Sequence, residues 1–206
     1  MALVKYNNNS ISGITSAPNV GSTSITLIKT LDASSDANLS FVHGSSDVVL
    51  NDTYPIYIFK LINIHPATNQ ANFTVNFRDG GSSYDATKTT TCFAAYHQED
   101  AGDTDLLYAS GRDLAQSSGV QNIAGSVGND NDQSISGELF LFNPYSNEFV
   151  KNFICRTSYA EASDQAWTQN VSGYCNTTTA IDGVQFSFDS GNIDSGTIKL
   201  YGIKDS

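Results

Sequence analysis

The sequence predicts an all-β fold: a single antiparallel two-sheet sandwich of about nine to ten strands. Three observations predict it. Short apolar alternations recur along the chain, and no stretch sustains a helical period. Charged residues are only 15% of the 206, so the polar surface falls to Ser, Thr, Asn and Gly. Those side chains compete with helical hydrogen bonds and suit sheet faces and turns.

Residues 1–24 read as an N-terminal arm, because Asn7-Asn8-Asn9-Ser10 and Pro18-Asn19-Val20-Gly21 are turn chemistry. Residues 25–206 read as a single β-sandwich domain without repeat or linker. Within it, Ser24 to Leu31 alternates and places Ile25, Leu27 and Leu31 on one face. Leu39 with Phe41 and the run Val48-Val49-Leu50 predict two further short strands. Tyr54 to Ile64 is nearly continuous in apolar residues and predicts a central strand buried on both faces; Pro55 and the Tyr, Ile and Phe content argue against a helix there. Phe73, Val75 and Phe77 alternate up to Asp79-Gly80-Gly81. Asp-Gly tolerates positive φ and predicts a hairpin, with its return strand running through Tyr84 and Thr87 to His97.

The stretch 98–134 reads as one long connection. It holds an acidic loop (Glu99, Asp100, Asp103, Asp105), a strand or turn at Leu106 to Tyr108, one short helix over Arg112 to Ser118, and a loop over Gly125 to Ser134. Strands then resume at Gly137 to Phe142, with Leu139 and Leu141 opposite Phe140 and Phe142, and at Glu148 to Thr157, with Phe149, Phe153 and Cys155 on one face. Trp167, Val171 and Tyr174 mark another strand, Val184, Phe186 and Phe188 alternate strictly, and Thr197 to Ile203 closes the series.

The formal net charge of −11 argues against a phosphate backbone or an anionic membrane surface as partner. Cys92, Cys155 and Cys175 are an odd, widely spaced set and read as small apolar residues kept reduced, although one bridge between two of them is compatible with the spacing. The opening residues lack the pattern of a signal peptide, and no stretch has the length of an apolar membrane span.

No chemistry-bearing motif stands out, so the expectation is of no catalytic, cofactor or metal residue. His43, His65 and His97 are dispersed and sit in no ligand spacing. Asp130-x-Asp132 opens like a calcium loop but lacks the following Gly and the distal Glu. A Gly-x-Ser-x-Gly elbow is missing, and no pair of carboxylates is singled out for glycoside hydrolysis. Trp167 and the Tyr residues fit core packing, or stacking on a sugar ring.

The C-terminal string Ala180-Ile181-Asp182-Gly183-Val184-Gln185-Phe186-Ser187-Phe188, Gly191-Asn192-Ile193 and Gly196-Thr197-Ile198-Lys199-Leu200-Tyr201-Gly202-Ile203 resembles the end of β-rich virion proteins of marine tailed bacteriophages, cyanophage-like ones especially. Leu3 to Asn9, Tyr57 to Pro66, Thr87 to His97 and Ser136 to Pro144 look similar as well, so the resemblance spans most of the chain. It implies a jelly-roll-like structural subunit with no catalytic residue to carry over.

The resulting expectation is a non-enzymatic capsid decoration or tail and fibre appendage protein. It would be assembled in a bacterial cytoplasm, located in the virion and held by contacts with other virion proteins. The resemblance implies a homo-oligomer, with a trimer favoured. Leu3, Val4 and Tyr6 of the arm are the expected interface with a neighbouring subunit. The alternative expectation is a module that attaches the particle to host surface glycan, with Trp167 as the contact.

Overall fold

The structure, a computed structural model, describes residues 25–204. They form twelve strands and no helix, and every strand pairing is antiparallel. In chain order these are β1 Ile25–Asp36, β2 Leu39–Val42, β3 Ile56–Pro66, β4 Ala71–Arg78, β5 Lys88–Gln98 and β6 Thr104–Tyr108. The second half gives β7 Gln121–Val127, β8 Ile135–Phe142, β9 Lys151–Glu161, β10 Gln165–Cys175, β11 Gly183–Phe188 and β12 Ile193–Ile203.

Pairing arranges them in two rows. The long row runs β1-β12-β3-β8-β9-β10-β5-β6, and the short row runs β7-β4-β11-β2. One bridge, Val127 opposite Glu161, joins β7 to β9 and makes the two rows a single sheet. The path from β1 to β2 is also closed covalently, since only Ala37 and Asn38 separate those strands. The sheet is therefore nearly closed and barrel-like.

The core fills the space between the rows. Val184, Phe186 and Phe188 of β11 and Phe73, Val75 and Phe77 of β4 are all buried, as period-two alternation requires. Aromatic rings join the rows: Phe41 meets Phe59 at 5.2 Å between centroids, Phe59 meets Phe186 at 5.5 Å, and Phe77 meets Phe153 at 4.9 Å. Such pairs add to area burial because their edges and faces are electrostatically complementary.

Several sequence expectations are corrected. Twelve strands replace nine to ten, because the long connection contains two strands. β6 covers the Leu106 to Tyr108 region, and β7 takes in Gly125 and Val127, which read as loop. The short helix over Arg112 to Ser118 does not form. Its backbone bonds to β5 instead: Thr90 N–H donates to the Leu114 carbonyl, and Lys88 and Ser117 exchange both of theirs. Val48 to Leu50 is not a strand, although Val48 and Leu50 are buried.

Asp79-Gly80-Gly81 is a turn with positive φ at both glycines, yet the strands it joins do not pair as a hairpin. β4 lies between β11 and β7, whereas β5 lies between β10 and β6. Leu31 does not share a face with Ile25 and Leu27. A β-bulge between Leu27 and Lys29 reverses the alternation and turns Leu31 toward the core, opposite Ile198. Phe149 precedes β9, and its side chain is exposed rather than aligned with Phe153 and Cys155. The Tyr54 to Ile64 strand is central as expected, but Ile62 and Asn63 are exposed, so burial on both faces is confined to Tyr57, Ile58 and Phe59.

Candidate interaction face

The face of the long row that points away from the core carries an ordered set of side chains. Register defines three rows across it. The first runs Thr30, Lys199, Lys60, Glu138, Arg156, Asn170, Phe93, Tyr108, one residue from each of eight strands. The second runs Leu27, Tyr201, Ile58, Phe140, Ile154, Ser172, Thr91. The third opens with Ile25, Ile203, Ile56 and Phe142, and its far side carries Asn152, Tyr174 and Thr89.

The second and third rows together make an apolar band. Phe140 and Phe142, two residues apart on β8, stack with centroids 6.3 Å apart. Ile154 is 47% exposed, and at the β1 rim Ile25 and Leu27 are 53% and 51% exposed. No element of residues 25–204 is paired over this band. A depression of about 480 Å³ opens where Phe142, Asn152, Ile154, Ser172 and Tyr174 meet Thr89 and Thr91. A second, of about 330 Å³, adjoins it between Phe140, Arg156 and Asn170. Contiguous exposed apolar area rimmed by polar groups is the usual signature of an interaction surface.

The first row supplies the polar rim. Glu138 lies between Lys60, with which it forms an ion pair, and Arg156, whose Nη2 is 3.1 Å from Oε1. The hydrogen bond from Lys60 holds the Glu138 carboxyl below its usual range. With Lys199 beside Lys60, this row sets three cations against one carboxylate on a chain of net charge −11.

Trp167 sits elsewhere, on the core side of β10 near the end of the barrel. It is half-buried between Tyr96, stacked at 4.7 Å, and Tyr159 at 6.2 Å. The Arg112 guanidinium lies 5.0 Å from its ring centroid and also donates to Gln169 and to the Tyr159 hydroxyl. Its indole N–H donates to Gln165. The ring is thus built into a stack in which Arg112 supplies a cation–π contact. Leu3, Val4 and Tyr6 lie outside the described residues.

A buried cluster of amines and a thiol lies inside the fold. Cys175 of β10 is opposite Lys88 on β5 and opposite Lys151 on β9, and all three are buried. The Lys88 ammonium donates to Asn76 Oδ1 and the Ala86 carbonyl, and that of Lys151 to the carbonyls of Phe149 and Thr177. Burial lowers the pKa of Lys88 to about 8 and also lowers that of Lys151. An amine of depressed pKa is a nucleophile signature. Here, however, both amines are spent on carbonyl and amide acceptors, and their work is to fix the chain entering β5 and β9. All three cysteines are free and buried, and desolvation raises every thiol: Cys92 to about 11, Cys175 to about 12, Cys155 further still.

Among the described residues no group of three or more His, Cys, Asp or Glu could hold a metal ion. Each His bonds to backbone: His43 Nδ1 accepts from Leu50 N–H, His65 Nδ1 is 2.7 Å from the Gln133 carbonyl, and His97 Nδ1 is 2.8 Å from the Gln98 carbonyl. The interaction face escaped sequence reasoning because register across eight strands is set by tertiary pairing. Its one legible signal was β8, where Phe140 and Phe142 back onto Leu139 and Leu141, so that the strand is apolar on both faces. No protein-family model, curated protein or solved structure matches the chain.

Proposed function

We propose that this chain is a non-enzymatic structural protein of a tailed-phage virion, a capsid decoration or tail and fibre appendage subunit. It works through protein–protein contacts made on the outer face of the long row. The observation that carries the assembly reading is the band in which Leu27, Tyr201, Phe140 and Ile154 flank the buried Ile58, with its partner row Ile25–Ile203–Ile56–Phe142. Burying such a band gains about 25 cal/mol for each Å² of apolar surface removed from water. The place in a virion rests on the sequence resemblance alone, carried chiefly by the C-terminal string. In this reading the two rows are the leaves of a jelly-roll-like sandwich, and the subunit forms a homo-oligomer.

Ile154→Asp tests the reading, because that side chain points to solvent and the substitution leaves the core untouched. The variant is expected to fold like the parent but to fail to join its assembly, read as solution mass by light scattering and as occupancy on particles. Unchanged mass and occupancy would overturn the assignment of this face.

Attachment to host glycan is the second reading, favoured by the depression in which Tyr174 and Phe142 are flanked by Asn152, Ser172, Thr89 and Thr91. Aromatic rings beside hydroxyl and amide groups suit a sugar ring. Tyr174→Ala is expected to lower retention on immobilised host polysaccharide, and equal retention of parent and variant would retire this reading. Trp167→Ala, compared on the same matrix, separates a contribution from the stacked indole.

A further inference from the structure

We propose that the free edge of β6 is a subunit contact in its own right: two copies of this chain join edge to edge by antiparallel pairing of Thr104–Tyr108 about a two-fold axis at Leu106. The contact lies at the end of the long row, away from the apolar band, and does not draw on it.

Among the described residues the one strand paired with β6 is β5. The phase of that pairing shows which backbone groups are left over. Gln98 N–H donates to the Asp103 carbonyl and Ala109 N–H to the Cys92 carbonyl, and both pairs continue the β5–β6 register. Hydrogen-bonded and non-hydrogen-bonded pairs alternate in an antiparallel ladder, so Asp105 and Leu107 aim their backbone groups at β5. Thr104, Leu106 and Tyr108 aim theirs outward. Two of the outward groups are met locally: Leu106 N–H donates to Asp105 Oδ1 at 2.8 Å, and the Tyr108 carbonyl accepts from Ser110 N–H at 3.2 Å.

This set of groups matches itself. With the axis at Leu106, that residue faces its counterpart in the second copy, and Thr104 faces Tyr108 in both directions. All three pairs are of the hydrogen-bonded kind, so every outward N–H meets an outward carbonyl. The same register sets Asp105 opposite Leu107, and the one charge of the strand is kept from its own copy. An axis at Asp105 or at Leu107 would use two of the three outward residues, and the former would oppose two carboxylates. The self-pairing thus selects a second copy as the occupant.

Side chains agree with the backbone. Leu106 is 72% exposed, the most of any large hydrophobic residue among the described ones, and Tyr108 and its β5 neighbour Phe93 are 55% and 48% exposed. Unpaired edges are commonly guarded by Lys, Pro or a bulge. β6 has none of these, whereas β1, at the other end of the row, has both Lys29 and a bulge. In the two-fold pair the Leu106 side chains stand together on the outer face. The axis is normal to the sheet, so the long rows merge into one sheet with eight strands from each copy and both apolar bands face the same way. Five residues a side is well under the roughly 20–30 of a standard interface, so the dimer is expected to form in the micromolar range and to dissociate on dilution.

The test is a register-specific disulfide in the full chain. Cα atoms of a hydrogen-bonded antiparallel pair lie about 5.5 Å apart, within the span of a disulfide. Leu106→Cys is expected to give a linked dimer under mild oxidation, and a mixture of Thr104→Cys and Tyr108→Cys chains is expected to give the mixed dimer. Tyr108→Cys alone is the control. Its two copies fall four residues apart along the paired strands, roughly 14 Å, and it is expected to stay unlinked. All three positions are exposed, and the native thiols are buried and do not compete.

No link in Leu106→Cys, or equal linking of Tyr108→Cys alone, would overturn the proposal. So would a Leu106→Cys link that is lost when Ile154→Asp is added, since that would give the contact to the band. A link kept in that background, with assembly of Ile154→Asp itself unchanged, would remove the band as an interface and leave the edge pairing standing.

Discussion

The Lys88 ammonium rests 2.6 Å from Asn76 Oδ1 in the buried interior, a cation held by a neutral amide. No carboxylate lies within ion-pair distance of it, since the salt bridges among the described residues join Lys60, Arg78 and Arg156 to Glu138 and Asp182. The folded protein therefore bears a desolvation cost that the unfolded chain does not.

That cost makes stability depend on pH with a definite sign. Lys88 loses its proton near 8 in the folded state, against an ordinary value of 10.5. Below about pH 8 both states carry the charge and the cost is full. Between the two values the unfolded chain binds more protons, so this contribution to stability rises with pH. Denaturant titration of the protein and of Lys88→Met at pH 7.5 and pH 9 is expected to show the parent gaining about 1 kcal/mol relative to the variant. A difference that stays flat or falls would remove the charged, desolvated Lys88. The comparison with the variant cancels the buried thiols, whose raised values act oppositely and subtract stability above pH 9.

Thiol chemistry gives the second prediction. Cys92, Cys155 and Cys175 are at most 1% exposed. Because thiolate is the reactive species and burial disfavours it, iodoacetamide at pH 8 is expected to leave all three unmodified in the native protein. Each is expected to become alkylated once denaturant is added, read by intact mass. Rapid modification of one thiol without denaturant would show that its strand opens locally.

Phe186 is the ring on which the core converges. It lies within 6.4 Å of Phe41, 5.5 Å of Phe59 and 6.0 Å of Phe73, thereby linking β2, β3, β4 and β11. Phe186→Ala is expected to cost about 3–5 kcal/mol, measured as a shift in the denaturant midpoint at constant slope. A cost under about 1 kcal/mol would mean that the rows do not close on this ring.

Gly173 marks a place where strands approach too closely for a side chain. A Cβ there would stand 2.4 Å from the Thr89 carbonyl oxygen and 2.6 Å from Thr90 Cγ2. Since the nearest atom is backbone, the β5–β10 pair must spread to admit a methyl group, and Gly173→Ala is expected to destabilise by about 1–3 kcal/mol. Ser172→Ala, one residue away and facing outward, is expected to stay within about 0.5 kcal/mol. Similar effects for both would contradict the close approach.

Local chemistry determined a large part of this protein from the sequence alone. Alternation at Phe73–Phe77 and at Val184–Phe188 gave both the strand state and the buried face, because the pleat has a period of two and one side of each strand is dry. The scarcity of charge and the abundance of Ser, Thr and Asn favoured strands over helices for the same local reason, and even the short helix expected over Arg112 to Ser118 does not form. What pairs with what was decided by the tertiary structure. The Asp79-Gly80-Gly81 turn reverses the chain whether or not its flanks pair, and burial of Phe77 against Phe153 sends β4 and β5 to different rows. The bulge that turns Leu31 inward has no local signature, because it arises from matching β1 to β12. The candidate face belongs to the same class. Ile25, Ile56, Phe140, Ile154 and Tyr201 are scattered over most of the chain and become one surface only when five strands come into register, since register is a property of pairs of strands and not of any one of them.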